Sequence, residues 1–236
     1  MEFIENNKAY KFIPYPIKAI SSFTIKENTF KNDIFEKYHC KTQMEGELII
    51  CTTSQNIKNS NHQKAIIVKE TYEEYIEKIS TLDKDKDKDK DKWIYNILDG
   101  ISEQESILYK DTLCLIIPSY TWINKDNNKL HILCIPFDKS IRCIRSLEEK
   151  HIDLLKYMKN KTIKIIEEVY HINETELKVF LHYEPSTYHL HIHFININHK
   201  DCDSSVEYCH NIDDIIYNLS IKSDYYQSRT LQKRVL

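Results

Sequence analysis

Glycine is scarce in this chain: Gly46 and Gly100 are the only two among 236 residues. Phosphate-cradling loops of the P-loop and dinucleotide-binding kinds need several glycines close together, so both kinds of nucleotide site are excluded. No apolar run approaches the roughly 18 residues of a membrane-spanning helix, and the N-terminus lacks the apolar core of a signal peptide. We therefore predict a soluble protein of the cytoplasm, the nucleus or both, with no membrane partner.

An excess of positive charge is also missing. Lysine and arginine number 33 against 36 acidic residues, which argues against a surface that binds long nucleic acid. A short nucleotide needs only a local site and stays possible as a ligand. The seven cysteines are scattered without a Cys-x-x-Cys pair, which is typical of reduced thiols in an intracellular protein.

The alternating Asp-Lys run at residues 83–92 marks a boundary between two units. It has no apolar side chain with which to form a core, so it predicts a solvated linker or hinge. Before it, residues 1–82 have an α+β pattern, with a strand at Glu47–Thr52 and a helix that begins at a Thr71–Glu74 capping box. After it, residues 93–236 form the larger second unit.

The second unit has the periodicity of an antiparallel sheet packed against one long helix. Its apolar runs predict strands at Thr112–Ile117, Leu130–Ile135, Leu177–His182 and Tyr188–Ile197. Between the second and third of these, a capping box at Ser146–Glu149 opens a helix whose apolar stripe extends to Val169. The predicted fold class is therefore α+β.

Three histidines alternate with apolar residues in the segment His189-Leu190-His191-Ile192-His193-Phe194. Because strand side chains alternate between faces, the three imidazoles share one face and the apolar residues point to the core. Neighbouring side chains on one face of a strand are about 6–7 Å apart. Such regular alternation is typical of a chemical site rather than of scattered structural histidines.

Three interpretations of these imidazoles are open. Two histidines two residues apart can bind zinc, although no cysteine or acidic cluster lies nearby in the sequence. The histidines can also be core or surface residues without chemistry. In the third interpretation one imidazole attacks phosphorus, while its neighbours bind phosphate oxygens and protonate the leaving group.

The segment resembles the signature of the histidine-triad superfamily, in which three histidines alternate with apolar residues. Flanking blocks are similar to those of the scavenger mRNA-decapping enzymes within that superfamily. These blocks are Trp93–Leu98, Ile144–Leu147, His182–Ser186 and Tyr226–Leu231. The resemblance covers about residues 93–236, and over residues 1–80 it rests on similar order and length.

The resemblance implies a histidine-triad catalytic domain and a hydrolase that needs no metal or other cofactor. Family members cleave the triphosphate bridge of a 7-methylguanosine cap dinucleotide or short capped RNA in 3′-to-5′ mRNA decay, releasing 7-methyl-GMP. Carried onto this sequence, His191 is the nucleophile and forms a phosphohistidine. His189 and His193 flank it and polarise phosphate, while His182 and Ser186 contact the same phosphates.

The resemblance also assigns a cap-binding pair. Trp93 stacks on the methylated base, and Glu103 accepts hydrogen bonds from the guanine edge. An alkylated purine is cationic, which suits the electron-rich face of an indole. Family members are homodimers with an exchanged N-terminal segment, so the smaller α+β unit is predicted to be a dimerisation domain.

This sequence departs from the family pattern in its substrate-binding positions. The family carries Pro-Asp-x-Lys-Trp where this chain has Pro-Ser-Tyr-Thr-Trp, so Ser119 and Thr121 replace an acid and a lysine. A basic residue expected after the triad is also missing, because Tyr208 falls there. Losing a lysine removes a positive charge that stabilises a bound triphosphate. Lys139 or Arg142 could compensate for this lost charge.

Three other functions stay open on the sequence. The nearest is a histidine-triad hydrolase of another dinucleoside polyphosphate or nucleotide adduct. The second is a nucleotidyl transferase of the related branch. Those enzymes usually have glutamine in place of the third histidine, whereas this chain has His193. The third is a cap-binding module with little turnover, which Ser119 and Thr121 favour.

Overall fold

The chain divides into two units between Gln63 and Lys64 in the computed structural model. The structure describes residues 66–84, 91–122, 126–200, 202 and 204–235, and in the first 65 residues only the backbone of five strands. The division falls before the Asp-Lys run, of which residues 85–90 lie outside the described part. Among the described helices, none combines the length and the apolar character of a membrane span.

The first unit consists of strands in its described residues. β1 (Glu2–Glu5) and β2 (Lys8–Lys11) form an antiparallel hairpin. A second antiparallel sheet contains, in order, β3 (Thr24–Lys31), β4 (Phe35–Lys41) and β5 (Glu45–Cys51). The strand predicted at Glu47–Thr52 corresponds to β5, whereas the helix predicted for this unit belongs to the second one.

The second unit begins with a strand and a helix that the sequence placed before the linker. β6 (Ile66–Glu70) leads into α1 (Tyr72–Lys84), and the predicted capping box forms, since Thr71 and Glu74 exchange backbone-to-side-chain hydrogen bonds. β6 pairs along its whole length with the last strand, β13 (Leu231–Val235), in antiparallel register. The two ends of the second unit are thereby joined.

A six-stranded antiparallel sheet forms the centre of the second unit. In chain order its strands are β7 (Tyr109–Lys110), β8 (Cys114–Pro118), β9 (His131–Pro136), β10 (Leu177–His182), β11 (Ile192–Asn196) and β12 (Cys209–Asn211). In space they run β12-β10-β11-β9-β8-β7, and every neighbouring pair is antiparallel. The predicted antiparallel sheet is confirmed.

Helices cover both faces of this sheet. On one side, α2 (Lys92–Leu98) packs against alternate residues of β8 and β9, namely Leu115, Ile117, Leu133 and Ile135. On the other side, α3 (Ile152–Tyr170) and α4 (Ile212–Ile221) pack against the intervening residues, which include Ile116, Ile132 and Cys134. Because both faces are covered, β8 and β9 are apolar at nearly every position.

The long helix α3 begins later than the sequence predicted. Single 3-10 turns at Ile144–Ser146 and Glu149–His151 occupy the predicted first turns, and Glu148 and His151 form the capping box. The hydroxyl of Ser146 instead accepts a hydrogen bond from the backbone N–H of Arg142, at 3.2 Å. The predicted capping box at Ser146–Glu149 was therefore wrong, because Ser146 closes the preceding loop.

Arg145 is completely buried and joins three distant parts of the second unit. Its guanidinium donates hydrogen bonds to the backbone carbonyls of Tyr226 at 2.7 Å, of Glu70 at 2.6 Å, and of Arg229. A further nitrogen donates to the hydroxyl of Tyr183 at 3.1 Å. Three of the sequence blocks that carried the family resemblance therefore meet around this one side chain.

Candidate functional site

The three alternating histidines lie where β11 begins, on the face of the sheet that α2 covers. His193 is within β11, opposite Leu133 of β9, whereas His189 and His191 precede the strand. The predicted strand from Tyr188 was therefore too long at its N-terminal end. All three histidines are buried, and Leu190, Ile192 and Phe194 point to the opposite face as predicted.

The hydrogen bond of His191 fixes which of its nitrogens can react. Its Nδ1 lies 2.8 Å from the carbonyl oxygen of His189, and a carbonyl can only accept, so Nδ1 carries the proton. Nε2 of the neutral ring then has a free lone pair. Burial lowers the pKa of His191, although the hydrogen bond to the His189 carbonyl raises it. The neutral, nucleophilic form of the ring is thus favoured at neutral pH.

His189 is held against the wall of the site. Its Nε2 donates to the carbonyl of Pro136 at 2.8 Å, and the ring edge meets Tyr95 of α2 at a centroid distance of 5.6 Å. The opposite nitrogen, Nδ1, is buried without a hydrogen-bond partner. Burial lowers the pKa of His189, which favours the neutral ring.

His182 and His193 complete a compact cluster with His191. Ring centroids are 4.2 Å apart between His182 and His193, and 4.9 Å apart between His191 and His193. Burial, followed by the nearby imidazoles, holds the pKa of His193 well below its usual value. Its Nε2 is buried and has no hydrogen-bond partner, which makes it a polar atom prepared for a ligand.

A fifth histidine, His131 at the start of β9, was missed by the sequence analysis. Its Nε2 lies 3.0 Å from Nδ1 of His193, and its Nδ1 lies 3.0 Å from the hydroxyl of Thr121. That hydroxyl is in turn 2.9 Å from the hydroxyl of Ser119. Burial lowers the pKa of His131 to about 3, so the chain of four polar groups connects neutral partners.

The sequence of β9 could have indicated which way His131 points, because side chains alternate along a strand and His131 shares a face with Leu133 and Ile135. Only the pairing of β9 with β11 shows that this face also carries His193. Ser119 and Thr121 were predicted as substrate-binding residues. The structure places both hydroxyls at the end of the hydrogen-bonded chain that leads to His193, and their predicted role in substrate binding stays a prediction.

Of the two predicted base-binding residues, Trp93 contacts the loop between His182 and His189, which we call the triad loop. Trp93, at the start of α2, is half-buried and donates from its indole N–H to the hydroxyl of Thr187, at 3.1 Å. Glu103 follows α2 in a left-handed backbone conformation, with φ of 57°, which is rare for a residue other than glycine and is often associated with functional sites. Ser186 is exposed within the triad loop.

Two cations were predicted as replacements for the missing lysine. Lys139 pairs with Asp99 at 3.1 Å and lies over the ring of Tyr95. Arg142 lines the small cleft beside His182, His189 and His191, and its guanidinium lies 5.8 Å from the ring centroid of Tyr188. Tyr208, at the position of the missing basic residue, stacks on His182 with centroids 4.0 Å apart. Arg142 is therefore the nearer candidate for phosphate charge.

The contacts of the imidazole rings can be compared with the three interpretations of the histidines, which are zinc binding, a structural role and attack on phosphorus. Among the residues that the structure describes, no three His, Cys, Asp or Glu side chains are arranged to hold a metal ion. One nitrogen each of His189 and His191 faces a backbone carbonyl, while His131 and His193 face each other. These contacts leave Nε2 of His191 and Nε2 of His193, on rings whose centroids are 4.9 Å apart. Such a pair suits attack on an anionic group and binding of its oxygens.

An antiparallel sheet with a long helix on one face, and a His-Leu-His-Ile-His segment at the start of a central strand, define a hydrolase of the histidine-triad class. The comparisons with known proteins narrow this class. The family model described as "Scavenger mRNA decapping enzyme C-term binding" matches residues 92–207.

Individual relatives agree with this match. The m7GpppX diphosphatase of Ascaris suum is 30% identical over 222 residues, which is 90% of this chain and 73% of that protein. The human m7GpppX diphosphatase is 28% identical over 211 residues, 86% of this chain and 62% of its own length. The chain thus belongs to the scavenger mRNA-decapping family, the m7GpppX diphosphatases, and it is shorter than the full length of these relatives.

A solved structure of Hnt3 in complex with DNA and guanosine is also similar in part. It is 16% identical, with a TM-score of 0.41, and the match covers 57% of this chain and 80% of that one. At that TM-score the likeness supports no conclusion about function.

Proposed function

We propose that the protein hydrolyses the triphosphate bridge of 7-methylguanosine cap dinucleotide or short capped RNA, with His191 as nucleophile. One observation carries the mechanism: the His189 carbonyl binds Nδ1 of His191 and leaves its Nε2 lone pair available, while Nε2 of His193 has no hydrogen-bond partner. The centroids of the two rings are 4.9 Å apart, so a nucleophile and an oxygen-binding group belong to neighbouring side chains.

In the first step, Nε2 of His191 attacks the phosphorus next to the methylguanosine. A nitrogen–phosphorus bond forms, the bond from that phosphorus to the bridging oxygen breaks, and a nucleoside diphosphate or a short RNA with a 5′-diphosphate leaves. The negative charge of the bound triphosphate raises the pKa of a neighbouring imidazole, which takes up a proton and, as an imidazolium, gives it to the leaving oxygen. His193, whose ring centroid is 4.9 Å from that of His191, and His182, whose ring centroid is 4.2 Å from that of His193, can bind the phosphate oxygens during this step.

In the second step, water attacks the phosphohistidine. The nitrogen–phosphorus bond breaks, 7-methyl-GMP is released, and His191 returns to its neutral form. The imidazole that gave its proton to the leaving group takes one from the attacking water, so protons balance over the cycle. No step requires a metal ion.

Trp93 and Glu103 are the residues proposed to recognise the base. Trp93 is oriented by its hydrogen bond to Thr187, which lies in the same loop as Ser186. A cationic methylated purine is attracted to the face of an indole, and a carboxylate such as that of Glu103 can accept from the guanine edge. The proposed homodimer and the proposed role in 3′-to-5′ mRNA decay follow from family membership.

The test of this function is turnover of methylated cap dinucleotide by the purified protein in EDTA, with products separated by chromatography. We expect 7-methyl-GMP and a nucleoside diphosphate. Unmethylated cap dinucleotide and diadenosine polyphosphates serve as competing substrates. Faster turnover of either would identify a hydrolase of another dinucleotide, and binding of the cap without products would identify a binding module. Activity that EDTA removes would replace this mechanism with a metal-dependent one.

The hydrogen-bonded chain behind His193 makes a further prediction. A phosphate oxygen only accepts, so His193 must carry its proton on Nε2 and accept at Nδ1 from His131, which then accepts from Thr121. Replacing His131 by leucine removes the donor and should lower kcat by about 10- to 100-fold. His131→Gln keeps an N–H at this position and should recover most of the loss. Equal rates for the two variants would contradict this role.

A further inference from the structure

The loop between His182 and His189 is fixed at both of its ends. At the start, the backbone N–H of Tyr183 donates to the carbonyl of Tyr208 at 2.8 Å. At the end, the backbone N–H of Tyr188 donates to the carboxylate of Asp91 at 3.1 Å. Within the loop, the carboxylate of Glu184 accepts a hydrogen bond from the hydroxyl of Tyr188. The position of this loop therefore sets where the chain enters the triad.

Glu184 also connects the loop to the two ends of the second unit. Its carboxylate pairs with Lys78 of α1, and with Lys233 of β13 at 3.3 Å. Both ammonium groups also pair with Glu70 of β6, at 2.8 Å from Lys78 and 2.6 Å from Lys233. Two carboxylates thus share two ammonium groups behind the triad loop.

This cluster is largely shielded from water. Glu70 is 3% exposed and the side chain of Lys233 is 15% exposed. The hydroxyl of Tyr183 donates to the carboxylate of Glu70, so the cluster contacts the loop at Tyr183 as well as at Glu184. When one charged group is removed from such a buried cluster, its partner keeps a charge that little water can solvate. The remaining groups then move to compensate.

We propose that Lys233 and Glu184 are positioning residues for the triad: the C-terminal strand, through Lys233, holds Glu184 and the loop that places His189 and His191. The role in catalysis rests on the proposed cap hydrolysis. The cluster contacts the first half of the loop, at Tyr183 and Glu184. Trp93 and Asp91 contact its second half, at Thr187 and Tyr188. When that support is lost, the nucleophile moves away from its position for attack.

The chain contains a matched control for Lys233. Lys159 of α3 is also 15% exposed and also bridges two carboxylates, Asp213 and Glu174, each at 2.9 Å. These partners lie on α4 and in the turn before β10, not in the triad loop. Lys233→Met and Lys159→Met therefore each remove a lysine that bridges two carboxylates, although the partners of Lys159 are more than half exposed and those of Lys233 are not.

The experiment compares kcat, KM and the thermal unfolding midpoint for the two variants in the full chain. We expect Lys233→Met to lower kcat about 10-fold with less than about 3-fold change in KM, and Lys159→Met to keep kcat within about 2-fold of the wild type. Lys233→Met should also lose more thermal stability than Lys159→Met, because Glu70 is buried whereas Asp213 and Glu174 are exposed. Wild-type kcat in Lys233→Met would overturn the proposal, whatever its loss of stability.

A second measurement does not depend on the substrate. The imidazole ¹H–¹⁵N signals of His189 and His191 should shift in Lys233→Met and stay in place in Lys159→Met. If the wild type fails to cleave the cap, these signals still test the positioning role, so the two proposals fail separately. Should Lys233→Met not fold, Tyr188→Phe removes only the hydroxyl that Glu184 binds and must lower kcat and shift the same signals. Unchanged signals and kcat in that variant would reject the proposal.

Discussion

Replacing His191 by asparagine should lower kcat for cap hydrolysis by at least about 10⁴-fold, an effect comparable to loss of the nucleophile in other covalent enzymes. The asparagine amide can still donate to the carbonyl that Nδ1 of His191 now binds, so the loop keeps its hydrogen bond. It has no nitrogen lone pair with which to attack phosphorus. The loss should therefore appear in kcat, while cap binding to the variant stays close to that of the wild type.

His171→Asn is the matched control for this variant. His171 is exposed at the C-terminal end of α3 and has φ of 56°, a conformation that asparagine tolerates well. The control should have wild-type activity and stability. The measurement is release of 7-methyl-GMP in EDTA, with the folded state checked by circular dichroism. Residual activity of His191→Asn within about 100-fold of the wild type would assign the nucleophile to another group.

The second large effect is expected at Arg145. Replacing it by methionine should lower the free energy of unfolding by about 3–5 kcal/mol, the usual cost of removing one member of a buried charged group. The guanidinium is fully buried and binds three backbone carbonyls and one tyrosine hydroxyl. Methionine has a similar length and no donor, so these acceptors remain in the interior without a partner.

Urea unfolding curves for Arg145→Met and Lys150→Met measure this effect. The side chain of Lys150 is 68% exposed and pairs with Glu148 at 2.9 Å, so its removal should change the free energy of unfolding by less than about 0.5 kcal/mol. Arg145→Lys keeps the charge but presents a single donor group, and it should fall between the two. A loss below about 1 kcal/mol for Arg145→Met would show that the carbonyls find other partners.

The sequence by itself determined the features that depend on local periodicity. Apolar and alternating patterns identified four of the six strands of the central sheet, β8 to β11, and placed His191 and His193 on one face. The stripe of α3 identified its buried side, where Leu155, Met158 and Ile166 are fully buried, although Val169 at its end is half exposed. These features depend only on the directions of side chains within a single helix or strand, so a short stretch of sequence is enough to predict them.

Only the tertiary structure decided the partners of the histidines. His131 and His193 are 62 residues apart, and their hydrogen bond exists because β9 pairs with β11 in one register. A shift of one residue would turn His131 to the other face. Register is fixed by packing of both faces and cannot be deduced from either strand alone.

The sequence blocks that resemble the family have structural roles that the sequence alone did not show, because their contacts also depend on the tertiary structure. Arg145 and Tyr183 are 38 residues apart, and the carbonyl of Tyr226 is 81 residues from Arg145, yet all three meet in one buried contact. A local pattern predicts that a side chain is polar or apolar and which element it belongs to. Which distant backbone carbonyl it binds depends on how the ends of the unit pack together, because those hydrogen bonds form only after burial removes the competing water.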